Sequence, residues 1–503
     1  MKITIMDTTL RDGEQTSGVS FSEAEKLNIA RLLLEELKVD RIEIASARVS
    51  EGEYKAAKKI LDWSHQHAYQ DRVEILGFVD GKTSLEWIQK AGGKVINLLC
   101  KGSLKHCTQQ LRKQPEEHLA DIREVVKYAE EMGIGVNVYL EDWSNGMRDS
   151  QEYVFQMIRG LQAEKIGRFM LPDTLGILNH DETYEYCKKM KDGFPDLKFD
   201  FHAHNDYDLA TANVYSAIKA GISGIHTTLN GLGERAGNVP LSSVIGIVKD
   251  HFHHELSINE QKLYAVSKIV ESFSGVRIPA NKPLIGEFVF TQTSGIHADG
   301  DNKDNLYYND LMPERFGRKR EYALGKMSGK ANIKKNLEEL GIELDAEEMK
   351  KVTSRVIELG DKKEMVTQDD LPYIISDVLK NDTIEQKIKI KNYALQVAEG
   401  LRSVATLSIE IDGKSYEETA SGDGQYDAFM NALWKIYDSL EKPYPKLTDY
   451  AVSIPPGGRT DALVETVITW KIGYREFKTR GLDSDQTVAA IKATIKMLNM
   501  IED

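Results

Sequence analysis

Eight times before about residue 231, a short β-branched run gives way to a longer amphipathic stretch. The runs are "ITIMDTTLR", "RIEIAS", "VEILGFV", "VINLLCKG", "VNVYLEDW", "RFMLPDT", "KFDFHAHND" and "GIHTTLNG". Between them lie segments such as "SEAEKLNIARLLLEEL" from Ser22 and "EEHLADIREVVKYAEEM" from Glu116. Regular strand–helix alternation implies a parallel sheet with crossover helices. Eight strands are the number that closes a (β/α)8 barrel of roughly 250 residues. An open doubly wound sheet is the alternative, but no G-x-G-x-x-G follows any of the runs.

A barrel of this kind places its chemistry at the C-terminal ends of its strands. Charge gathers there in this chain. Arg11 and Asp12 follow the first run, Glu141 and Asp142 the fifth, Asp173 and Thr174 the sixth, and "HAHND" closes the seventh. His202 and His204 are two apart on a strand and therefore share a face, the barrel interior. Two such imidazoles read either as a metal-binding pair or as hydrogen-bonded core histidines. Asp12 can add an oxygen from across the barrel, and Asn238 in the glycine-rich "NGLGERAGN" an amide oxygen. A mixed nitrogen and oxygen set with room for water suits Zn²⁺, Mn²⁺ or Mg²⁺ acting as a Lewis acid. Arg11 is always charged and can donate to a developing oxyanion, or serve as a structural ion-pair partner.

The rhythm changes after about residue 275. A Gly-, Asn- and Asp-rich segment and then helical patterns are expected over 276–387, after a catalytic barrel over 1–275. The last unit, 388–503, reads as two tandem β-β-α units, with a hairpin over Asp412-Gly413. It carries no catalytic-looking cluster and is expected to be a dimerisation or effector-binding domain. The net charge of −14 argues against a general nucleic-acid or anionic-membrane binder. No apolar run approaches the roughly 18 residues of a membrane span. The N-terminus lacks a signal-peptide pattern, and Cys100, Cys107 and Cys187 form no metal-type pair. A reduced, cytoplasmic protein is expected.

"DTTLRDGEQ", "HAHND" and "NGLGERAGN" together resemble the signatures of the DRE-TIM metallolyases. More narrowly, the chain is similar to their Claisen-condensing branch, the 2-isopropylmalate, homocitrate and citramalate synthases, and most resembles the bacterial citramalate synthases. The resemblance covers essentially the whole chain. It implies condensation of acetyl-CoA with a 2-oxo acid, with Asp12, His202 and His204 as metal ligands and Asn238 as a weaker or water-shared one. It further implies Arg11 at the developing oxyanion, Glu141 positioning acetyl-CoA or assisting proton transfer, and Thr174 binding the substrate carboxylate. Base catalysis falls to His297 and Tyr307 in the segment after the barrel, often supplied by a partner subunit, so the enzyme is expected to be at least a dimer.

Leu76, Leu99 and Tyr139 should line the side-chain pocket. Two leucines and a ring suit the methyl of pyruvate, giving (R)-citramalate on the route to isoleucine. The alternative is 2-oxoisovalerate, giving 2-isopropylmalate on the route to leucine; a metal-dependent lyase and a silent amino-acid sensor stand behind it. The resemblance implies a branched-chain amino-acid effector bound in the last unit, with Tyr426, Asp427, Thr460, Ala462 and Leu463 as candidate contacts.

Overall fold

The computed structural model describes residues 2–301, 303, 305–361, 366, 368–379, 388–453, 464–473 and 475–501. Eight parallel strands form a closed barrel. They are β1 (Thr4–Asp7), β2 (Arg41–Ser46), β3 (Val73–Phe78), β4 (Val95–Lys101), β5 (Gly135–Glu141), β6 (Ile166–Asp173), β7 (Phe199–Ala203) and β8 (Gly224–Thr227). β8 pairs with β1 through Ile5↔Ile225 and Asp7↔Thr227, which completes the ring.

The period-2 alternation of the strands sorts their side chains into two environments. Ile75, Leu98, Val138, Leu171, Phe201 and Ile225 face outward and join the main core with the surrounding helices. Met6, Leu76, Tyr139 and Met170 face inward and form a separate apolar cluster, with Leu99 packed against it. The rest of the interior is polar: Glu43, Glu74, Asn97, Asp200 and His226 are all buried. Helix starts follow local chemistry. Ser22 and Asn179 each close a capping box, with Glu25 and Glu182 respectively, so orphan amides of the first turn are satisfied by side chains.

The chain divides into two compact units, Met1–Gln292 with Gly300–Glu321, and Thr293–Asp299 with Tyr322–Asp503. Two two-residue strands, β9 (Thr291–Gln292) and β10 (Glu321–Tyr322), follow the barrel. In the second unit, helices Lys330–Leu340, Ala346–Asp361 and Leu371–Leu379 gather around Ile333, Leu337, Val352, Val356 and Leu371.

The C-terminal part contains two three-stranded antiparallel sheets, each followed by a helix. β11 (Ile388–Gln396), β12 (Ser403–Ile411) and β13 (Lys414–Gly422) precede helix Gln425–Ser439. β14 (Lys446–Ser453), β15 (Val464–Ile472) and β16 (Arg475–Asp483) precede helix Gln486–Ile501. Asp412 and Gly413, with φ of 49° and 74°, make the expected tight hairpin turn. The repeat is thus β-β-β-α, one strand longer than the β-β-α expected. The extra strands, β11 and β14, lie at sheet edges. Edge strands carry lysines and polar residues that discourage further pairing, and in "IKIKNYALQ" and "KLTDYAVS" a register shift also interrupts the alternation, between Ile390 and Asn392 and between Leu447 and Asp449. Both sheets share one core, which includes Ile409, Leu433, Ile468, Trp470 and Met497. Among the described residues no helix is long and apolar enough to cross a membrane.

Candidate active site

Asp12, His202 and His204 converge at the C-terminal mouth of the barrel, all buried, with one ligand atom from each within 4.8 Å of the others. His202 Nε2 lies 3.0 Å from Asp12 Oδ2, and His204 Nε2 lies 3.7 Å from the same oxygen. The two Nε2 atoms are 3.3 Å apart. Neither Asp12 oxygen has a hydrogen-bond partner among the described residues. A carboxylate buried in that state is costly unless a cation compensates it. Burial opposes its ionisation, but the Arg11 guanidinium leads the interactions that outweigh burial and hold the carboxyl well below its ordinary range. Burial also holds His204 down at about 4, so its ring is neutral, the ligating form.

Asn238 is set beside this group by the glycine-rich loop, where His204 and Asn238 form an isolated bridge. Its Nδ2 donates to the Leu232 carbonyl at 3.3 Å, which leaves Oδ1 buried and unpartnered. The loop requires its glycines. Gly233 has φ of 155°, and a Cβ there would meet Asn238 Nδ2 at 2.4 Å; Gly237 has φ of 84°, and a Cβ would meet the Gly231 carbonyl oxygen at 2.0 Å. Orphaned oxygens on Asp12 and Asn238 beside two converging imidazole nitrogens fit a divalent cation.

Arg11 is nearly buried, with 11% of its side chain exposed. Its Nε donates to Glu43 Oε2 at 2.6 Å and its Nη2 to Tyr139 Oη at 3.4 Å. Nη1 lies 3.7 Å from Asp12 Oδ2 and has no hydrogen-bond partner among the described residues. Burial opposes the guanidinium charge, and Glu43 and Asp12 more than restore it. Glu43 is completed by Asn97 Nδ2, which donates to Oε1 at 2.7 Å. The sequence reading missed Glu43 and Asn97. A lone acid within the apolar run "RIEIAS" and a lone amide within "VINLLCKG" were the available signals.

Tyr139 touches both the ligand group and Arg11. Its ring stands edge-on to His202 at 6.1 Å between centroids, and Arg11 sits over it at 5.8 Å. Its hydroxyl lies 3.1 Å from His226 Nδ1. Burial, reinforced by Glu43, keeps that hydroxyl protonated. Leu76 belongs to the same apolar cluster and Leu99 packs on it; Met6 and Met170, not foreseen, complete it.

Glu141 forms a hydrogen-bonded ion pair with Lys101. Lys101 is its direct partner in the β4–β5 register, a residue the sequence reading passed over although "CKG" ends its run as charge ends the others. Thr174 Oγ1 accepts from the Asp142 amide at 2.9 Å, so its proton remains available to a substrate oxygen. Asp173 serves the scaffold: its oxygens accept the amides of Ile177 and Leu178, each at 3.0 Å.

His297 lies on helix Gly295–Asp301, within the residues of the second unit, whereas Tyr307 lies in the first and is 42% exposed. Tyr426 and Asp427 occupy the first turn of helix Gln425–Ser439. The Tyr426 hydroxyl and Thr494 Oγ1 are 2.7 Å apart, and Asp427 Oδ2 accepts the Asp423 amide at 2.9 Å. Thr460, Ala462 and Leu463 lie outside the described residues.

Three family models match successive parts of the chain: HMGL-like over residues 2–270, homocitrate synthase post-HMGL domain-like over 284–364, and LeuA allosteric (dimerisation) domain over 365–502. An Archaeoglobus fulgidus protein, provisionally named (R)-citramalate synthase CimA, is 35% identical over 503 residues and covers 100% of each chain. The (R)-citramalate synthase CimA of Methanocaldococcus jannaschii is 34% identical over 506 residues, 100% of each chain. The 2-isopropylmalate synthase of the same organism is 32% identical, covering 99% of this chain and 95% of its own. The ligand group built on "DTTLRDGEQ", "HAHND" and "NGLGERAGN" accords with these matches, and the chain belongs to the HMGL-like family of DRE-TIM metallolyases, in the Claisen-condensing branch that holds the citramalate and 2-isopropylmalate synthases.

Proposed function

We propose that the protein condenses acetyl-CoA with pyruvate and water to give (R)-citramalate and free CoA. The observation that carries the choice of oxo acid is the apolar cluster of Met6, Leu76, Tyr139 and Met170 beside the ligand group. A tyrosine ring there leaves space for a methyl group and little for an isopropyl group. A second reading, condensation with 2-oxoisovalerate, is favoured by the full-length likeness to a 2-isopropylmalate synthase.

Asp12, His202 and His204, with Asn238, would hold the divalent cation, which as Zn²⁺, Mn²⁺ or Mg²⁺ supplies positive charge toward the ketone oxygen as it becomes an alkoxide. Arg11 directs Nη1, which is paired with Asp12 only by charge, to the same oxygen. The Thr174 hydroxyl donates to the substrate carboxylate. His297 and Tyr307 provide the base that removes a proton from the acetyl methyl group, and Glu141, held by Lys101, positions the thioester or assists that transfer. The new C–C bond forms to the ketone carbon, the alkoxide takes a proton, and water cleaves the thioester.

The enzyme works as a homodimer or larger assembly, and the C-terminal domain binds a branched-chain amino acid, isoleucine for the citramalate reading and leucine for the alternative. Tyr426, Asp427, Thr460, Ala462 and Leu463 are the proposed contacts. The likeness to the LeuA allosteric (dimerisation) domain supports both points.

The deciding experiment is a substrate panel read by CoA release. A higher kcat/KM for pyruvate than for 2-oxoisovalerate is expected. The reverse order would transfer the assignment to 2-isopropylmalate synthesis, and no acetyl-CoA-dependent CoA release with any 2-oxo acid would overturn the condensation.

A further inference from the structure

We propose that His226 and Asp200 are positioning residues for the condensation, acting through the Tyr139 hydroxyl to set the plane of the Arg11 guanidinium. A file of hydrogen bonds crosses the barrel interior, branching at Tyr139 toward Glu43. Asp200 on β7 lies 3.2 Å from His226 Nε2 on β8, and His226 Nδ1 lies 3.1 Å from Tyr139 Oη on β5. Tyr139 Oη in turn receives Arg11 Nη2 at 3.4 Å. Asp200 and His226 are each 1% exposed and Tyr139 is 3% exposed.

The file has one direction. Asp200 accepts from Arg168 at 3.1 Å and from Arg41 at 2.5 Å, so it is an ionised acceptor. His226 must then carry its proton on Nε2 and donate to Asp200. Its Nδ1 is left as an acceptor, since Arg41 and Arg168 already balance the Asp200 charge. Tyr139 therefore donates to Nδ1 at 3.1 Å, the nearer acceptor, with Glu43 Oε2 at 3.5 Å, and its oxygen lone pairs turn toward Arg11. A planar guanidinium needs two fixed points to define its plane. Glu43 holds Nε and Tyr139 holds Nη2, which leaves Nη1 as the nitrogen directed toward the ligand group. Tyr139 thus has two separable functions, a ring that fills the pocket and a hydroxyl that braces Arg11.

The inference rests on the reading that Arg11 stabilises the alkoxide, and the test separates the two. Tyr139→Phe keeps the ring and deletes the brace. In the full-length, metal-loaded enzyme it should lower kcat about 10-fold or more, the scale of a small misplacement of a reacting group. KM for pyruvate and the preference over 2-oxoisovalerate should stay unchanged. His226→Leu should follow the same pattern, and His226→Gln should recover most of the rate, since its amide offers an acceptor and a donor at a similar spacing. In an Arg11→Lys background Tyr139→Phe should cost less than about 2-fold, because coupled residues are not additive. Full kcat in Tyr139→Phe beside a slow Arg11→Lys overturns the brace alone, as do additive losses in the double variant. Full kcat in Arg11→Lys overturns the reading of Arg11 and this inference with it.

Discussion

Replacing Arg11 by lysine separates charge from geometry at the barrel mouth. Arg11 spends Nε on Glu43 at 2.6 Å and Nη2 on Tyr139 at 3.4 Å, and has Nη1 to spare. Lysine has one nitrogen. Glu43 is fully buried, and leaving its carboxylate uncompensated costs about 3–5 kcal/mol, so the ammonium goes there. On the proposed role of Arg11, the donor toward the alkoxide is then lost. Removal of one oxyanion donor costs about 10²- to 10³-fold in kcat, or about 2.7–4 kcal/mol of barrier. The fold loses only the hydrogen bond to Tyr139, about 1 kcal/mol, a few degrees in Tm for a domain of this size. Arg11→Ala, in contrast, strands Glu43 and should lower both rate and Tm. The assays are CoA release with a thiol reagent, thermal unfolding, and metal content by elemental analysis. The expected signature of Arg11→Lys is a slow enzyme with normal metal and nearly normal stability. A rate within about threefold of wild type, or a Tm loss as large as that of Arg11→Ala, would refute the reasoning.

His204→Ala should lose bound metal and activity together, since one imidazole remains; full metal occupancy by elemental analysis would contradict the ligand set. Tyr139→Ala should raise kcat/KM for 2-oxoisovalerate relative to pyruvate by about 10-fold or more, because each methylene accommodated is worth about 1–3 kcal/mol; an unchanged ratio would locate the pocket elsewhere. Truncation after about residue 388 should abolish inhibition by isoleucine, since coupling needs the second site; competitive inhibition surviving in the truncated chain would place the effector in the barrel. Asp7, fully buried, has its carboxyl pushed up to about 7 by burial, against the hydrogen bonds from Thr9. Its contribution to stability is fully present below about pH 3.8 and lost as pH rises through about 7, roughly 4 kcal/mol at 1.36 kcal/mol per pH unit. Asp7→Asn should therefore gain stability relative to wild type as pH rises from about 4 to about 7 in denaturant titrations, with no further gain above that; a pH-independent difference would mean burial does not raise the Asp7 carboxyl.

The barrel and the convergence of Asp12, His202 and His204 were legible in the residues because both follow from local periodicity. Strand–helix alternation needs only neighbouring residues to read, and His202 and His204 share a face whenever their segment is a strand. Asp12 and Asn238 were accessible because strand ends meet over one mouth in any closed barrel. The lysine-bearing edge strands β11 and β14 escaped notice because each carries a register shift, between Ile390 and Asn392 and between Leu447 and Asp449, which breaks the alternation of its inward residues. What needed the tertiary structure was the pairing of inward residues across strands. Arg11 finds Glu43, Glu141 finds Lys101, and His226 links Tyr139 to Asp200 only after the ring closes in one register. A shift of one residue would turn each of these side chains to the outer face. The sequence therefore determined which groups can hold a cation, and the register of the closed barrel decided which groups hold Arg11.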